Sequence, residues 1–191
     1  MIDRISLMDA WLDINKGAAG GVDKVTAMEY QENLVENIID LERRLNERRY
    51  KAKLVRRVYI PKGNNKLRPL GIPALEDKLV QMAAAKILVA IFEQDFLTCS
   101  WGYRPEIGPL DAVKDIGKSL MTGKFGYIAD ADITGFFDNI VHEWMEEMLE
   151  QRIADRVFII LIKKWMKAGI IDEIKDIIIH PEKGTPQGSI V

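Results

Sequence analysis

The 191-residue sequence predicts an α+β fold, and three observations converge on that class. Apolar residues recur at three- and four-residue spacing in several separate stretches. Two short extended runs flank the turn G-N-N at 63–65, and a third, I-K-D-I-I-I-H, lies near the C-terminal end. Strands and helices come in blocks rather than in strict alternation, unlike a run of βαβ units.

The elements follow in order. Residues 4–15, R-I-S-L-M-D-A-W-L-D-I-N, put Ile5, Met8, Trp11 and Leu12 on one side of a short amphipathic helix. The next stretch, K-G-A-A-G-G-V-D at 16–23, is too rich in glycine for a helix and reads as a flexible loop. Thr26 with Glu29 makes a capping box, and Leu34, Ile38, Leu41 and Leu45 continue a helical seam to about Glu47. Residues 54–60 read as a strand, and K-L-R-P-L-G-I-P at 66–73 returns as its partner. Pro69 and Pro73 confine that partner to a sheet edge or an early end. Leu79, Met82, Ala83, Ile87, Ala90 and Ile91 mark a long helix from Leu75 to about Asp95. After a loop carrying S-W-G-Y-R-P come a helix (Val113, Ile116, Leu120), a strand at 125–132, and a helix with Val141, Trp144, Met145, Met148 and Leu149 in register. A further helix spans 154–168, and the last strand leads through the turn E-K-G to T-P-Q-G-S-I-V. No internal repeat is present, and a boundary near 98–108 divides a basic half from a half holding an acid-bearing strand.

Composition narrows the function classes. At 48% hydrophobic and 29% charged, the chain has an ordinary globular make-up. No stretch approaches the roughly 20 apolar residues of a membrane span, and M-I-D-R-I-S is no signal peptide, so the expected setting is cytoplasmic with no membrane partner. The single cysteine, Cys99, excludes an internal disulfide and is expected to be a small buried hydrophobe. The net charge of −2 hides a strong asymmetry: Arg43, Arg44, Arg48, Arg49, Lys51, Lys53, Arg56, Arg57, Lys62, Lys66 and Arg68 face only Glu47 within that segment. A basic surface on an otherwise acidic body is the footprint of a phosphate-rich partner such as RNA.

The segment Y-I-A-D-A-D-I-T-G-F-F-D-N-I, 127–140, puts Asp130 and Asp132 on one face of an extended strand, about 7 Å apart. Paired carboxylates at a strand end suit a hard divalent cation, with Ile133 adding a backbone carbonyl. On spacing alone, a helix cap or an arginine partner serves equally well. His142 and His180 stand alone and read as cap or surface residues, and no nucleophilic triad, P-loop or zinc pattern is present.

Read in order, the blocks K-G-A-A-G-G-V-D, I-P-K-G-N-N-K-L-R-P-L-G-I-P, D-K-L-V-Q, S-W-G-Y-R-P, A-D-A-D-I-T-G-F-F-D-N-I and G-T-P-Q-G-S cover nearly the whole chain. Together they resemble the bacterial group II intron reverse transcriptases. The resemblance implies a right-hand polymerase: an N-terminal extension and fingers over 1–100, and an incomplete palm over 101–191 with β-hairpins and a short antiparallel sheet. It implies Asp132 as a catalytic aspartate and ligand of Mg²⁺, with Ile133 offering its carbonyl, and Asp130 and Asp138 as supports. It further implies Lys62 and Arg68 as the grip on the incoming triphosphate, Phe137 as the aromatic under the sugar, and Gln187 lining the nucleotide pocket; the sequence leaves open whether Phe136 or Phe137 faces the sugar. RNA binding falls to Arg43, Arg44, Arg48, Arg49, Lys51, Lys53, Arg56 and Arg57, and the glycine-rich loop would lie over template and primer.

The implied partners are group II intron RNA, an RNA template with a DNA primer, and deoxynucleoside triphosphates, with a homodimer possible through an uncovered sheet edge. The family's Tyr-x-Asp-Asp hairpin would follow the P-Q-G block, and the sequence reaches Val191 before it. The expectation is therefore a fingers and partial-palm fragment, inactive as a polymerase by itself. Competing readings are a non-catalytic RNA-binding module, or a CRISPR-associated, retron or diversity-generating reverse transcriptase.

Overall fold

A computed structural model describes residues 2–62, 66–123, 125–185, 188 and 190. The elements are α1 (Arg4–Asp13), α2 (Ala27–Glu32), α3 (Leu34–Asn46), β1 (Val55–Lys62), β2 (Lys66–Ile72) and α4 (Leu75–Phe92). They continue with α5 (Pro109–Met121), α6 (His142–Glu150), α7 (Arg156–Met166), β3 (Ile170–Asp172) and β4 (Ile177–Ile179). The chain forms two compact units, Met1–Ala85 with Gly135–Val191, and Lys86–Thr134.

In the first unit, Asp3 caps α1 by accepting the Ser6 N–H at 2.9 Å. The helix buries Leu7, Ala10 and Trp11, and leaves Ile5 and Leu12 exposed. The expected face was the wrong one: Leu7, Ala10, Trp11 and Ile14 form a competing stripe at equally good helical spacing, and that stripe meets α3. The Thr26–Glu29 capping box forms as expected, with the Glu29 N–H donating to the Thr26 hydroxyl at 3.2 Å. The helix it opens breaks at Asn33, and α3 then carries the seam through Ile38 and Leu41.

The glycine-rich loop is a docked loop rather than a flexible one. Gly21 is buried, and a Cβ there would stand 2.5 Å from the Ala74 Cα, so only glycine lets the two backbones approach. Lys78 Nζ donates to the Ala19 carbonyl at 2.8 Å, and Lys53 pairs with Asp23 at 2.8 Å.

The sheet order is β2-β1-β3-β4. β1 and β2 pair antiparallel from Arg56↔Ile72 to Lys62↔Lys66, which puts Pro69 on an edge strand, the place in a sheet where proline is tolerated. β1 then pairs parallel with β3, Val55↔Ile170, and β3 turns back onto β4. The sheet is thus mixed rather than wholly antiparallel, and β3 goes unanticipated because three residues directly after a helix carry no readable alternation.

Behind the sheet, α4 contributes Leu79, Val80, Ala83 and Ala84 to the core, and α7 contributes Phe158, Ile159, Ile162, Trp165 and Met166. One polar knot ties them together. The Tyr50 hydroxyl donates to Asp77 Oδ1, the Lys53 N–H donates to Asp77 Oδ2 at 3.0 Å, and Trp165 Nε1–H donates to the Tyr50 oxygen at 2.9 Å. Burial raises the Asp77 pKa against the pull of these donors.

In the second unit, Arg104 of S-W-G-Y-R-P gathers the loop around itself. Its guanidinium donates to Glu93 Oε1 at 2.9 and 2.6 Å and to the carbonyls of Leu97 and Ser100 at 3.0 and 2.8 Å. Pro109 opens α5, and Asp111 accepts the Gly108 N–H at 3.1 Å. Cys99 is exposed, not buried as expected, because it sits on this loop rather than in a core.

Residues 125–133 form no strand, contrary to the expected 125–132. Among the described residues nothing pairs with them, and an extended segment without ladder partners does not hold as a strand.

Candidate nucleotide and nucleic-acid site

Three pieces of the first unit converge. The first is the β1–β2 hairpin. Register places Lys62 beside Ile60 on one face, and Arg68 directly across from Ile60, so Lys62 and Arg68 are diagonal neighbours on that face. Arg57, Pro69 and Gly71 belong to the opposite face, since side chains alternate.

The second piece is F-F-D-N-I. Gly135, at φ +63°, starts a tight turn in which the Asp138 N–H donates to the Gly135 carbonyl and the Asn139 N–H to the Phe136 carbonyl, each at 3.1 Å. Residues Phe137–Asn139 form a single 3₁₀ turn with Asp138 at its centre. Phe136 and Phe137 pack edge to face with centroids 5.4 Å apart; Phe136 is 51% exposed and Phe137 37%, so neither ring packs inward.

The third piece is the segment leading into P-Q-G. The Gly184 N–H donates to the Ile140 carbonyl at 2.7 Å, and the Thr185 N–H to the Phe137 carbonyl at 2.9 Å. Lys183 Nζ donates to Asn139 Oδ1 at 2.8 Å. Buried His142 holds the Gly184 carbonyl at 2.7 Å through Nε2, which therefore carries the proton. Farther along, a Cβ on Gly188 would stand 2.8 Å from the Gly71 carbonyl oxygen, so this segment also abuts β2. Between these pieces lies a cavity of about 270 Å³, lined by Arg57, Gly71, Asp138, Lys183 and Thr185 among others.

His142 was expected as a cap or surface residue and is instead buried. The signal was available: it shares a helical stripe with Met145 and Leu149, so a polar group on that apolar face needed a partner. Asp138 and Lys183 as cavity walls had no comparable sequence signal. Gln187 lies outside the described residues.

Asp130, Asp132 and Ile133 belong to the second unit, all exposed on the irregular segment 125–133. A carboxylate and a backbone carbonyl are hard oxygen donors, the chemistry Mg²⁺ takes. No group of three or more acidic, histidine or cysteine side chains placed to hold a metal occurs among the described residues.

The basic run divides by its partners. Arg43 pairs with Asp40, Arg49 with Glu47, and Arg44 bridges Asp40 and Glu76, each at 2.7 Å. Hydrogen bonds from Arg43 and Arg44 hold the Asp40 carboxyl below its usual range. Arg48 and Lys51 are exposed, and Arg56 and Arg57 are half-buried on opposite faces of β1. Among the described residues no helix is long and apolar enough to cross a membrane.

Comparison with known proteins gives a consistent result. Residues 60–191 match the family described as reverse transcriptase (RNA-dependent DNA polymerase). The chain is 36% identical over 181 residues to protein YkfC of Escherichia coli K12, covering 93% of this chain and 47% of that protein. It is 37% identical over 180 residues to the group II intron-encoded protein LtrA of Lactococcus lactis subsp. cremoris, covering 93% of this chain and 29% of that protein. The chain thus spans less than half the length of either relative. Among solved structures, a chain of a partial Cas6-RT-Cas1–Cas2 complex matches with a TM-score of 0.58 at 23% identity, over 97% of this chain and 30% of that one. That likeness concerns the fold.

Proposed function

We propose, because this chain belongs to the reverse transcriptase family, that the protein is the RNA-directed DNA polymerase of a group II intron. It extends a DNA primer on an RNA template with deoxynucleoside triphosphates, and binds intron RNA as a splicing maturase in the bacterial cytoplasm. The observation that carries this reading is the backbone pairing of Phe137 with Thr185 and of Ile140 with Gly184. It joins two blocks more than forty residues apart, the pair from which a nucleotide pocket would be built, against a hairpin whose Arg57 and Gly71 line the cavity and whose other face bears Lys62 and Arg68. Residues 1–100 act as extension and fingers, and 101–191 as palm.

In this reading the Arg68 fork and the Lys62 ammonium neutralise the triphosphate, one by bidentate geometry and one as a mobile point charge. Phe137 presses on the deoxyribose and leaves no room for a 2′-hydroxyl, while Gln187 borders the base pair. Asp132, through its carboxylate, and Ile133, through its carbonyl, would hold Mg²⁺. When bound, the metal pair supplies activation of the primer 3′-hydroxyl and neutralises the leaving pyrophosphate.

Primer extension by the full-length protein tests this. Asp132→Ala is expected to abolish cDNA synthesis while leaving RNA affinity within about twofold, since a metal ligand is used in the transition state rather than in template binding. Retained extension by this variant overturns the assignment. Phe137→Val is expected to admit ribonucleotides with little loss of deoxynucleotide incorporation.

A further inference from the structure

We propose that the open groove between residues 48–52 and the C-terminal half of α7 is a seat for an RNA backbone. The groove, about 680 Å³, is lined by Arg48, Lys51, Lys163, Lys164, Lys167 and His180. Only Arg48 and Lys51 belong to the basic run visible in the sequence; the three lysines come from more than a hundred residues away. Tyr50 brings the two segments together. Lys164 Nζ donates to its carbonyl at 2.8 Å, and Trp165 Nε1–H donates to its hydroxyl oxygen at 2.9 Å.

The plainer explanation for such lysines is that they answer the helix dipole and nearby acids. That accounts for Lys163, whose ammonium meets both Glu146 oxygens at 2.6 Å, and for Lys164 on the Tyr50 carbonyl. It accounts in part for Lys167, the exposed C-cap of α7, but not for Lys51, which is exposed and lies in no helix. Arg48, just past the C-terminus of α3, also suits a helix dipole, but it holds φ +58°, a conformation glycine adopts without strain. A charged side chain kept there at a cost in backbone strain points to a use for the charge. The groove is open rather than enclosed, and Ile160 and Ala168 add apolar surface to its cationic lining. That suits a strand laying alternating phosphates and sugars along it.

The inference deepens the reading of the protein as an RNA-binding polymerase and rests on it. The test is fluorescence anisotropy of the full-length protein with a labelled uridine oligonucleotide over a salt series. Wild type is compared with Lys51→Gln combined with Lys167→Gln, two exposed positions. Loss of two phosphate contacts should weaken binding about tenfold and make the slope of log affinity against log salt shallower by about 1.4. Lys51→Arg with Lys167→Arg should restore the wild-type slope. An unchanged slope in a glutamine variant with wild-type circular dichroism overturns the groove, as does loss of binding to phosphatidylserine vesicles without loss of RNA binding. Failure of the wild-type protein to bind RNA removes the functional reading as well, so the two failures are distinct.

Discussion

A Cβ on Gly184 would stand 2.8 Å from the Phe137 carbonyl oxygen, at a residue whose φ is +82°. Gly184→Ala therefore meets two penalties at once, the backbone strain of a left-handed residue, about 1–2 kcal/mol, and a clash with backbone that cannot swing aside. The expected outcome is a lower thermal midpoint together with lost primer extension, because Thr185 can no longer stay on Phe137. A variant of wild-type stability and activity would show that this pairing does not build the site. Asp172 makes a case through charge instead. It is fully buried, and it accepts the Tyr59 hydroxyl at 2.5 Å and the Lys175 N–H at 3.2 Å. The Tyr59 hydrogen bond leads in holding its carboxyl below the ordinary 3.8. A depressed pKa gives stability that is present above the unfolded value and lost as pH falls through the folded one. Tyr59→Phe should therefore lower the urea midpoint at pH 7, and the gap from wild type should close on acidification below about pH 4. A gap that stays constant with pH would mean the hydroxyl contributes only packing.

α3 shows how an element can hold its end against its own preference. The Arg49 and Tyr50 N–H groups both donate to the Arg44 carbonyl, at 2.8 and 2.9 Å, closing the helix with Arg48 in the left-handed position where glycine is usual. Arg48→Gly should raise stability by about 1 kcal/mol while weakening RNA binding; a parallel fall in both would mean the side chain serves the fold. The apolar seams of α3 and α4, the Thr26–Glu29 capping box, and the β1–β2 hairpin with Pro69 at its edge were legible in the sequence, though the break at Asn33 was not. What escaped depended on partners distant in the chain. β3 exists because Val55 pairs with Ile170, and residues 125–132 stay irregular for want of such a partner. The face of α1 was misread because two apolar stripes compete on ten residues, and only packing chooses between them.

At the scale of the whole molecule, much of the candidate site was readable only as ordered blocks. F-F-D-N-I and G-T-P-Q-G mean little singly, and the bond between Thr185 and Phe137 that relates them is a long-range backbone contact with no local signature. The apolar patterning raises a different matter. On α5 the seam Val113, Ile116 and Leu120, which marks the helix in the sequence, is 66%, 50% and 39% exposed. On α6 Trp144 and Met148 of the helical register are also exposed, and β4 offers Ile177 and Ile178 on an edge strand. Contiguous apolar stripes of this kind are characteristic of surfaces that meet another protein surface, and a short bare edge strand invites pairing. We therefore expect these 191 residues, expressed alone, to self-associate at micromolar concentration, the association growing with salt as apolar contacts strengthen and charge repulsion is screened. Light scattering behind size exclusion reads the mass directly. Val113→Glu with Ile116→Glu should return it to that of a monomer, since each carboxylate would have to be buried in the contact, without changing circular dichroism because neither side chain is buried in the fold. A monomer at every salt concentration would mean that α5 is an ordinary solvated surface, and a pair of variants that still associates would move the contact to β4.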